Sequence, residues 1–227
     1  MDSSAKVYSR LVLRFYDFWV LSLSNTYAWH CPTKSVLLPF YQSHLGEGTH
    51  LEVGVGTGYY PANSVASLQK TKAVTLLDLN PNTLAYAKER LGRAGYKGTI
   101  ETLEHNVFAP FPESARGTFD SIVLFYVFHC LPGALPAKAA EVFKSLAPGL
   151  APGGVLYGST ILGSGVKHNF FGRRLMGVYN KKGIFGNRED SEEGLKEALA
   201  TVFEEYEVRV VGKVALFSGK NPKAIVG

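Results

Sequence analysis

The sequence is poor in the features that would assign it quickly to several protein classes. It has two cysteines, Cys31 and Cys130, far apart in the chain. No disulfide framework is implied, and no Cys/His spacing resembles a zinc or other metal site. Reduced thiols in a cytoplasmic compartment are the expectation. No run of about 18 apolar residues occurs, so no membrane span is expected. The apolar stretch from Leu11 to Leu23 is interrupted by Arg14 and Asp17, and no small-residue cleavage site follows, so it does not read as a secretory leader. There is no Gly-Lys-Ser/Thr, which excludes a phosphate-cradling P-loop. A large excess of either charge is also lacking, with 24 Lys and Arg against 19 Asp and Glu. A net charge of +5 permits anionic partners but does not by itself argue for nucleic acid.

The chain does have enough apolar material for one core. It has 227 residues, 46% of them hydrophobic, which suits a single folded domain of ordinary size. Its 24 glycines suggest that tight turns matter.

The hydrophobic pattern changes period along the chain. Val7 to Leu23 and Lys34 to His44 read as helices, with an irregular stretch around Trp29, Cys31 and Pro32 between them. Short apolar strands are expected at His50–Val55, Ala73–Leu79, Thr99–Leu103, Phe119–Phe128 and Val155–Thr160. Helices fall between them at Pro61–Gln69, from Asn80-Pro81 to Gly92, and at Ala137–Leu150. Asn80 supplies an N-cap and Pro81 a first-turn proline, with Leu84, Ala87 and Leu91 on one face. Gly163 to Asn187 reads as an insertion. Asp190 and Glu193 suggest a capping box for a helix running to Phe203. Glu207–Val211 and Val214–Ser218 form a hairpin about Gly212-Lys213. Alternating strands and helices predict a parallel, doubly wound α/β sheet with helices on both faces. Residues 1–44 form a helical lid and residues 45–227 the core, with a substrate-side insertion at about 163–188.

Two features carry chemistry. The first strand ends in Gly54-Val55-Gly56-Thr57-Gly58. Its third glycine comes one residue earlier than a dinucleotide fingerprint requires. Asp78 ends the second strand, where a carboxylate can accept hydrogen bonds from a ribose diol. Glu52 lies within a strand otherwise made of Leu and Val, so it needs a partner: a cationic ligand group, a basic side chain or an amide.

The glycine loop, Leu76-Leu77-Asp78-Leu79-Asn80-Pro81, Phe119-Asp120-Ser121-Ile122-Val123 and Leu150-Ala151-Pro152-Gly153-Gly154-Val155-Leu156 occur in that order before a terminal hairpin. Together they resemble class I S-adenosylmethionine-dependent methyltransferases of the small-molecule branch, over residues 45–218. The resemblance implies a Rossmann-like, seven-stranded, mostly parallel sheet with an antiparallel C-terminal hairpin. It also implies S-adenosylmethionine as cofactor and no metal. By position, Gly54, Gly56, Thr57 and Gly58 would lie under the methionine part, with Glu52 facing the amino group. Asp78 would hold the ribose and Leu79 would pack on adenine. Asn106, where the family often has an acid, and Val107 would border the base. Phe125 and Tyr126 would face the sulfonium. Tyr16, in the helix before the core, would also contact the cofactor.

Methyl transfer needs alignment and water exclusion more than any fixed catalytic residue. His129, just past the fourth strand, and His168, in the insertion, are the candidate bases; each also has a plain structural reading. Arg173, Arg174, Lys181, Lys182 and Arg188 read either as a solvated face or as a hold for an anionic group. Aromatic residues at both ends of the core suggest a planar, apolar pocket. The expected acceptor is O, N or C of a small aromatic or natural-product molecule. Two alternatives stay open: an RNA methyltransferase, and a non-methylating pericyclic or cyclising enzyme on the same fold. Neither nucleic acid nor a membrane is an expected partner, and the sequence leaves the oligomeric state open.

Overall fold

The computed structural model describes residues 17–224. Tyr16 therefore lies outside the described residues, as does most of the first expected helix. A helix of wide, π-type turns, α1, Asp17–Ala28, comes first. A second wide turn, Thr33–Leu37, runs directly into α2, Leu38–Ser43.

The core alternates as the pattern predicts. The order is β1 (Thr49–Val53), α3 (Tyr59–Asn63), α4 (Val65–Leu68), β2 (Ala73–Asp78), α5 (Pro81–Arg93), β3 (Thr99–Glu104) and β4 (Phe119–Phe125). Then come α6 (Ala137–Leu146), β5 (Leu150–Ile161), α7 (Phe170–Lys181), α8 (Glu192–Val202), β6 (Phe203–Val211) and β7 (Val214–Pro222). The strands form one seven-stranded sheet in the order β3-β2-β1-β4-β5-β7-β6. β7 runs antiparallel to both of its neighbours, and the other six strands share one direction.

Period-2 alternation sorts the strand side chains onto two faces. On one face Leu51, Val53, Ile122, Leu124 and Leu156 pack with α6 and α8. On the other, Val123, Phe125 and Tyr157 pack with Trp29, Leu37 and Tyr41 of the N-terminal segment. His50 and Glu52 alternate with Leu51 and Val53, so they face the N-terminal helices. A third cluster holds α5 by Leu84, Ala87 and Leu91, the face read from the sequence. Asn80 caps α5 by accepting from the Asn82 N–H at 3.0 Å.

Five local expectations are corrected. The helix expected over Pro61–Gln69 is two short helices separated at Ser64, whose backbone leaves helical geometry. The helix from Ala137 ends at Leu146, and a tight turn at Ala147–Gly149 follows. β5 starts at Leu150 and absorbs Pro152-Gly153-Gly154, with a register shift opposite Phe119 and Ser121. A Cβ at Gly154 would stand 2.8 Å from the Phe119 carbonyl oxygen, so the bulge needs glycine there. The insertion contains a full helix, α7, capped by Asn169 Oδ1, which accepts from the Gly172 N–H at 2.7 Å. The cap of α8 is Ser191 rather than Asp190. Ser191 Oγ accepts from Gly194 N–H at 3.1 Å, while Asp190 turns inward.

Candidate active site

The glycine loop leaves β1 at the carboxyl edge of the sheet. Gly54, Gly56 and Gly58 all have positive φ, of 64°, 52° and 67°. A side chain is strained in that region, which explains the glycine choice before any ligand is considered. Two of the three also have no room. A Cβ at Gly54 would stand 2.8 Å from Val127 Cγ2, and one at Gly58 would stand 3.0 Å from Ala87 of α5. Gly56 differs, because a Cβ there would meet nothing nearer than the Gly54 oxygen at 3.9 Å. The Gly54 N–H bonds the Leu77 oxygen at 2.7 Å, and Arg90 of α5 donates to the Thr57 oxygen at 3.1 Å. The loop is thus tied to β2 and α5 and leaves bare backbone in its middle.

That bare backbone floors a cavity of about 350 Å³. Gly54, Gly56 and Thr57 line it on one side, and Phe125, Tyr126 and His129 on another. Trp29 and Asn25 come from the N-terminal segment, and Tyr179, Ile184 and Phe185 from the insertion. β4 delivers its residues through a sharp bend. Tyr126 has φ 60°, a conformation that costs a non-glycine residue roughly 1–2 kcal/mol. Its N–H bonds the Ser159 oxygen at 2.8 Å, which holds the bend in place.

His129 is 4% exposed. Its ring meets Phe185 edge-on at 4.5 Å and Tyr126 at 5.4 Å between centroids. Its Nδ1 is buried without a hydrogen-bond partner among the described residues. Burial, helped by the Lys138 ammonium, lowers its pKa to about 3, so the ring is neutral near neutral pH. Burial also raises the Tyr60 and Tyr126 phenols well above their ordinary range, so both stay protonated.

Asp78 sits at the end of β2, its Oδ1 accepting from Asn80 N–H at 3.0 Å. Desolvation raises its pKa, against the opposing pull of backbone N–H groups including that of Gly56. Leu79 beside it is 64% exposed. Beyond it, Asn106 Oδ1 accepts from Phe108 N–H at 3.1 Å, and Val107 is buried in the core. Asp78, Leu79 and Asn106 thus follow the sheet edge away from the cavity rather than lining it.

Two expected site residues lie elsewhere. Glu52 does not line the cavity. Its Oε1 accepts a hydrogen bond from the Tyr41 hydroxyl and lies 3.1 Å from His50 Nε2, while His50 Nδ1 is 2.7 Å from Ser121 Oγ. The partner that Glu52 needed is therefore internal. His168 is not brought to the cavity either. Its Nε2 bonds the Leu162 oxygen at 3.0 Å, and its ring packs edge-on against Trp29 at 5.9 Å. It supports a cavity wall from behind. Arg173, Arg174, Lys181, Lys182 and Arg188 are all exposed. Among the described residues, no group of three His, Cys, Asp or Glu side chains could hold a metal ion, and no helix is long and apolar enough to cross a membrane.

Fold and loop together define an α/β protein with a cavity at the carboxyl edge of a parallel sheet, where sheets of this kind bind ligands. Comparison with known proteins narrows the class. Residues 51–156 match the family model described as "Methyltransferase domain". The chain is 45% identical to the methyltransferase verB of Penicillium polonicum, over 98% of this chain and 100% of that protein. It is 43% identical to the physcion biosynthesis cluster O-methyltransferase of Aspergillus chevalieri, over 96% of this chain and 94% of that one. Among solved structures, an O-methyltransferase family protein from Burkholderia thailandensis superposes with a TM-score of 0.63 at 17% identity. That match covers 96% of this chain and 61% of the other, and it supports the fold. The chain belongs to the class I S-adenosylmethionine-dependent methyltransferases, and S-adenosylmethionine is the cofactor of that family.

The residues present fit that cofactor. Gly56 offers an open backbone cradle that a Cβ would fill, and the Asp78 carboxylate stands at the neighbouring strand end.

Proposed function

We propose that the protein methylates a hydroxyl group of a small, planar, largely apolar natural product held in the aromatic cavity. The observation that carries this reading is the cavity itself. It joins the glycine cradle to walls of Trp29, Phe125, Tyr179 and Phe185, with few polar groups among them. The named relatives support oxygen as the acceptor, since the Aspergillus chevalieri protein is called an O-methyltransferase. So is the demethylluteothin O-methyltransferase of Streptomyces thioluteus, 37% identical over 92% of this chain.

When bound, S-adenosylmethionine supplies an electrophilic methyl group on a sulfonium. The chain's own residues do the rest. Gly54, Gly56 and Thr57 present main chain to the methionine part, and Asp78 accepts from the ribose hydroxyls. The aromatic walls hold the acceptor ring and keep water out, so the hydroxyl meets the methyl carbon in line. Neutral His129 accepts the hydroxyl proton. Its low basicity is sufficient, because the hydroxyl oxygen gains a third bond as the methyl arrives and its proton becomes strongly acidic. Tyr126 and Tyr60, both protonated, serve as neutral polar groups at the cavity edge.

The test incubates the protein and S-adenosylmethionine separately with naphthol, hydroxycoumarin, dihydroxyanthraquinone and apigenin. Chromatography and mass spectrometry then look for a product heavier by one methylene. Methyl ethers from at least one phenol support the reading. Cofactor binding with methylation of carbon or nitrogen analogues only, or of RNA only, would overturn it.

A further inference from the structure

The strongest unexplained feature outside the cavity is a buried ion pair behind its wall. Lys138, in the first turn of α6, and Asp190, just before α8, are 2% and 0% exposed at their side chains. Lys138 Nζ lies 2.7 Å from Asp190 Oδ2 and donates to the Gly186 oxygen at 2.9 Å. Asp190 Oδ1 accepts from Leu135 N–H at 3.1 Å. Two dehydrated charges are costly, and replacing such a pair with apolar groups is often neutral for stability. Stability alone therefore explains the pair poorly.

Its connections point to the site. Gly186, held by Lys138, donates its own N–H to the His129 oxygen at 2.8 Å. Gly186 also approaches the neighbouring turn so closely that a Cβ there would stand 2.7 Å from the Leu131 oxygen. Phe185, the next residue back, carries the ring that packs 4.5 Å from His129. The segment 181–189 holds two apolar side chains, Ile184 and Phe185, and both line the cavity. Phe185 also packs on Trp29 and Tyr179, and the buried Asn187 donates to the Ile161 oxygen at 2.8 Å, so Gly186 is the point between them that the ion pair holds.

We propose that Lys138 and Asp190 are positioning residues of the acceptor pocket, holding the Ile184–Phe185 wall in register against His129. This rests on the reading that the cavity takes the acceptor. The pair acts at one remove, through Gly186, and touches no ligand. The titratable and charged groups around His129 are Tyr126 and Cys130 on its own turn, Tyr60 and Tyr179 across the cavity, and Lys138 on α6 with its partner Asp190 just before α8. The double change removes the ammonium and the carboxylate together, so their opposite effects on the ring largely cancel. Loss of the wall admits water to the imidazole, and that makes His129 easier to protonate.

The decisive variant is Lys138→Met combined with Asp190→Leu, because either single change strands a buried charge and can unfold the chain. Three readouts are compared with wild type: thermal unfolding, exchange of the Gly186 amide, and titration of the His129 ring by nuclear magnetic resonance. The expected result is a folded protein with a near-normal melting temperature and unchanged binding of S-adenosylhomocysteine. Its Gly186 amide exchanges at least tenfold faster, and its His129 pKa is higher by a unit or more. With the best phenol of the panel above, KM rises and kcat changes less. A folded double variant with wild-type Gly186 exchange and His129 titration overturns the proposal. The exchange and titration readouts need no acceptor, so failure of every phenol in the panel counts against the proposed function without touching this test.

Discussion

The Tyr41 hydroxyl, on the N-terminal helix α2, donates a hydrogen bond to the Glu52 carboxylate, which is buried in β1 two residues before the first glycine of the loop. Tyr157 hydroxyl in turn donates to the Tyr41 oxygen at 3.1 Å, so α2 is stitched to the sheet beside the glycine loop. Both Tyr41 and Glu52 are removed from water. Tyr41→Phe takes one donor from a buried carboxylate, which costs about 1–3 kcal/mol. Urea unfolding should show that loss. Calorimetry with S-adenosylhomocysteine should show weaker binding, because the bond ties α2 to the strand that carries the glycine loop. A variant as stable as wild type would remove Tyr41 from this role.

The glycine loop separates fold from ligand binding. Gly58→Ala pushes a Cβ against the Ala87 backbone of α5, so the ligand-free melting temperature should drop by several degrees. Gly56→Ala meets no protein atom closely and costs about 1–2 kcal/mol from its positive φ alone. Its main effect should be a loss of S-adenosylhomocysteine affinity of tenfold or more. Equal losses of affinity in the two variants would contradict the assignment of Gly56 as the open cradle.

Asp78 trades stability for binding. Its folded-state pKa is raised, so its ionised form is disfavoured by folding at neutral pH, and that cost is relieved as pH falls through the raised value. Asp78→Asn should therefore leave the ligand-free protein as stable as wild type or slightly more so. Cofactor affinity should fall about 10–100-fold as a charge-assisted bond to the ribose becomes a neutral one. Scanning calorimetry and titration on the same preparation test both signs.

His129 predicts a pH dependence of stability. The unfolded chain takes up a proton on this residue near pH 6.5, while the folded protein resists until about pH 3. Its contribution is whole above the unfolded value and is lost at about 1.4 kcal/mol per unit as pH falls between the two. Between ~pH 7 and ~pH 5 the wild type should lose roughly 2 kcal/mol more than His129→Leu does. Urea unfolding of both proteins at the two pH values gives the difference directly.

Removal of that same imidazole tests the chemistry. His129→Gln should lower kcat about 100-fold if the ring takes the hydroxyl proton. S-adenosylhomocysteine binding should hardly change, because the Gly56 cradle and Asp78 lie outside the His129 turn. Unchanged kcat in a folded variant would assign proton loss to solvent.

The framework was legible because the doubly wound pattern is local. Each strand announces itself as an apolar run, and Asn80-Pro81 marks a helix start with a cap that the structure uses. Position in the motif order was enough to find the loop and Asp78. The internal partners of Glu52 were not legible as such. The requirement for a partner could be read from one carboxylate among Leu and Val, but Tyr41 and His50 come together only when α2 packs on β1. Asp190 was misread as a helix cap for a similar reason. An acid one residue before Ser191 fits a cap locally, and only its tertiary partner Lys138 draws it inward. His168 and His129 looked alike in sequence; the bend at Tyr126 carries one to the cavity, while Trp29 and the Leu162 oxygen hold the other behind the wall.

The insertion begins and ends at almost the same point. The N–H groups of Gly163 and Ser164 both bond the Asp190 oxygen, at 2.9 and 3.0 Å, and Asn187 donates to the Ile161 oxygen at 2.8 Å, so the excursion leaves the sheet and returns to it at a closed base. A loop closed at its base can change length at modest entropic cost, since closure entropy grows only with the logarithm of its length. Exchange of the stretch above that base should therefore be tolerated. Grafting the corresponding stretch of a relative between Gly163 and Asp190 should transplant acceptor preference while the sheet and the cofactor loop keep their architecture.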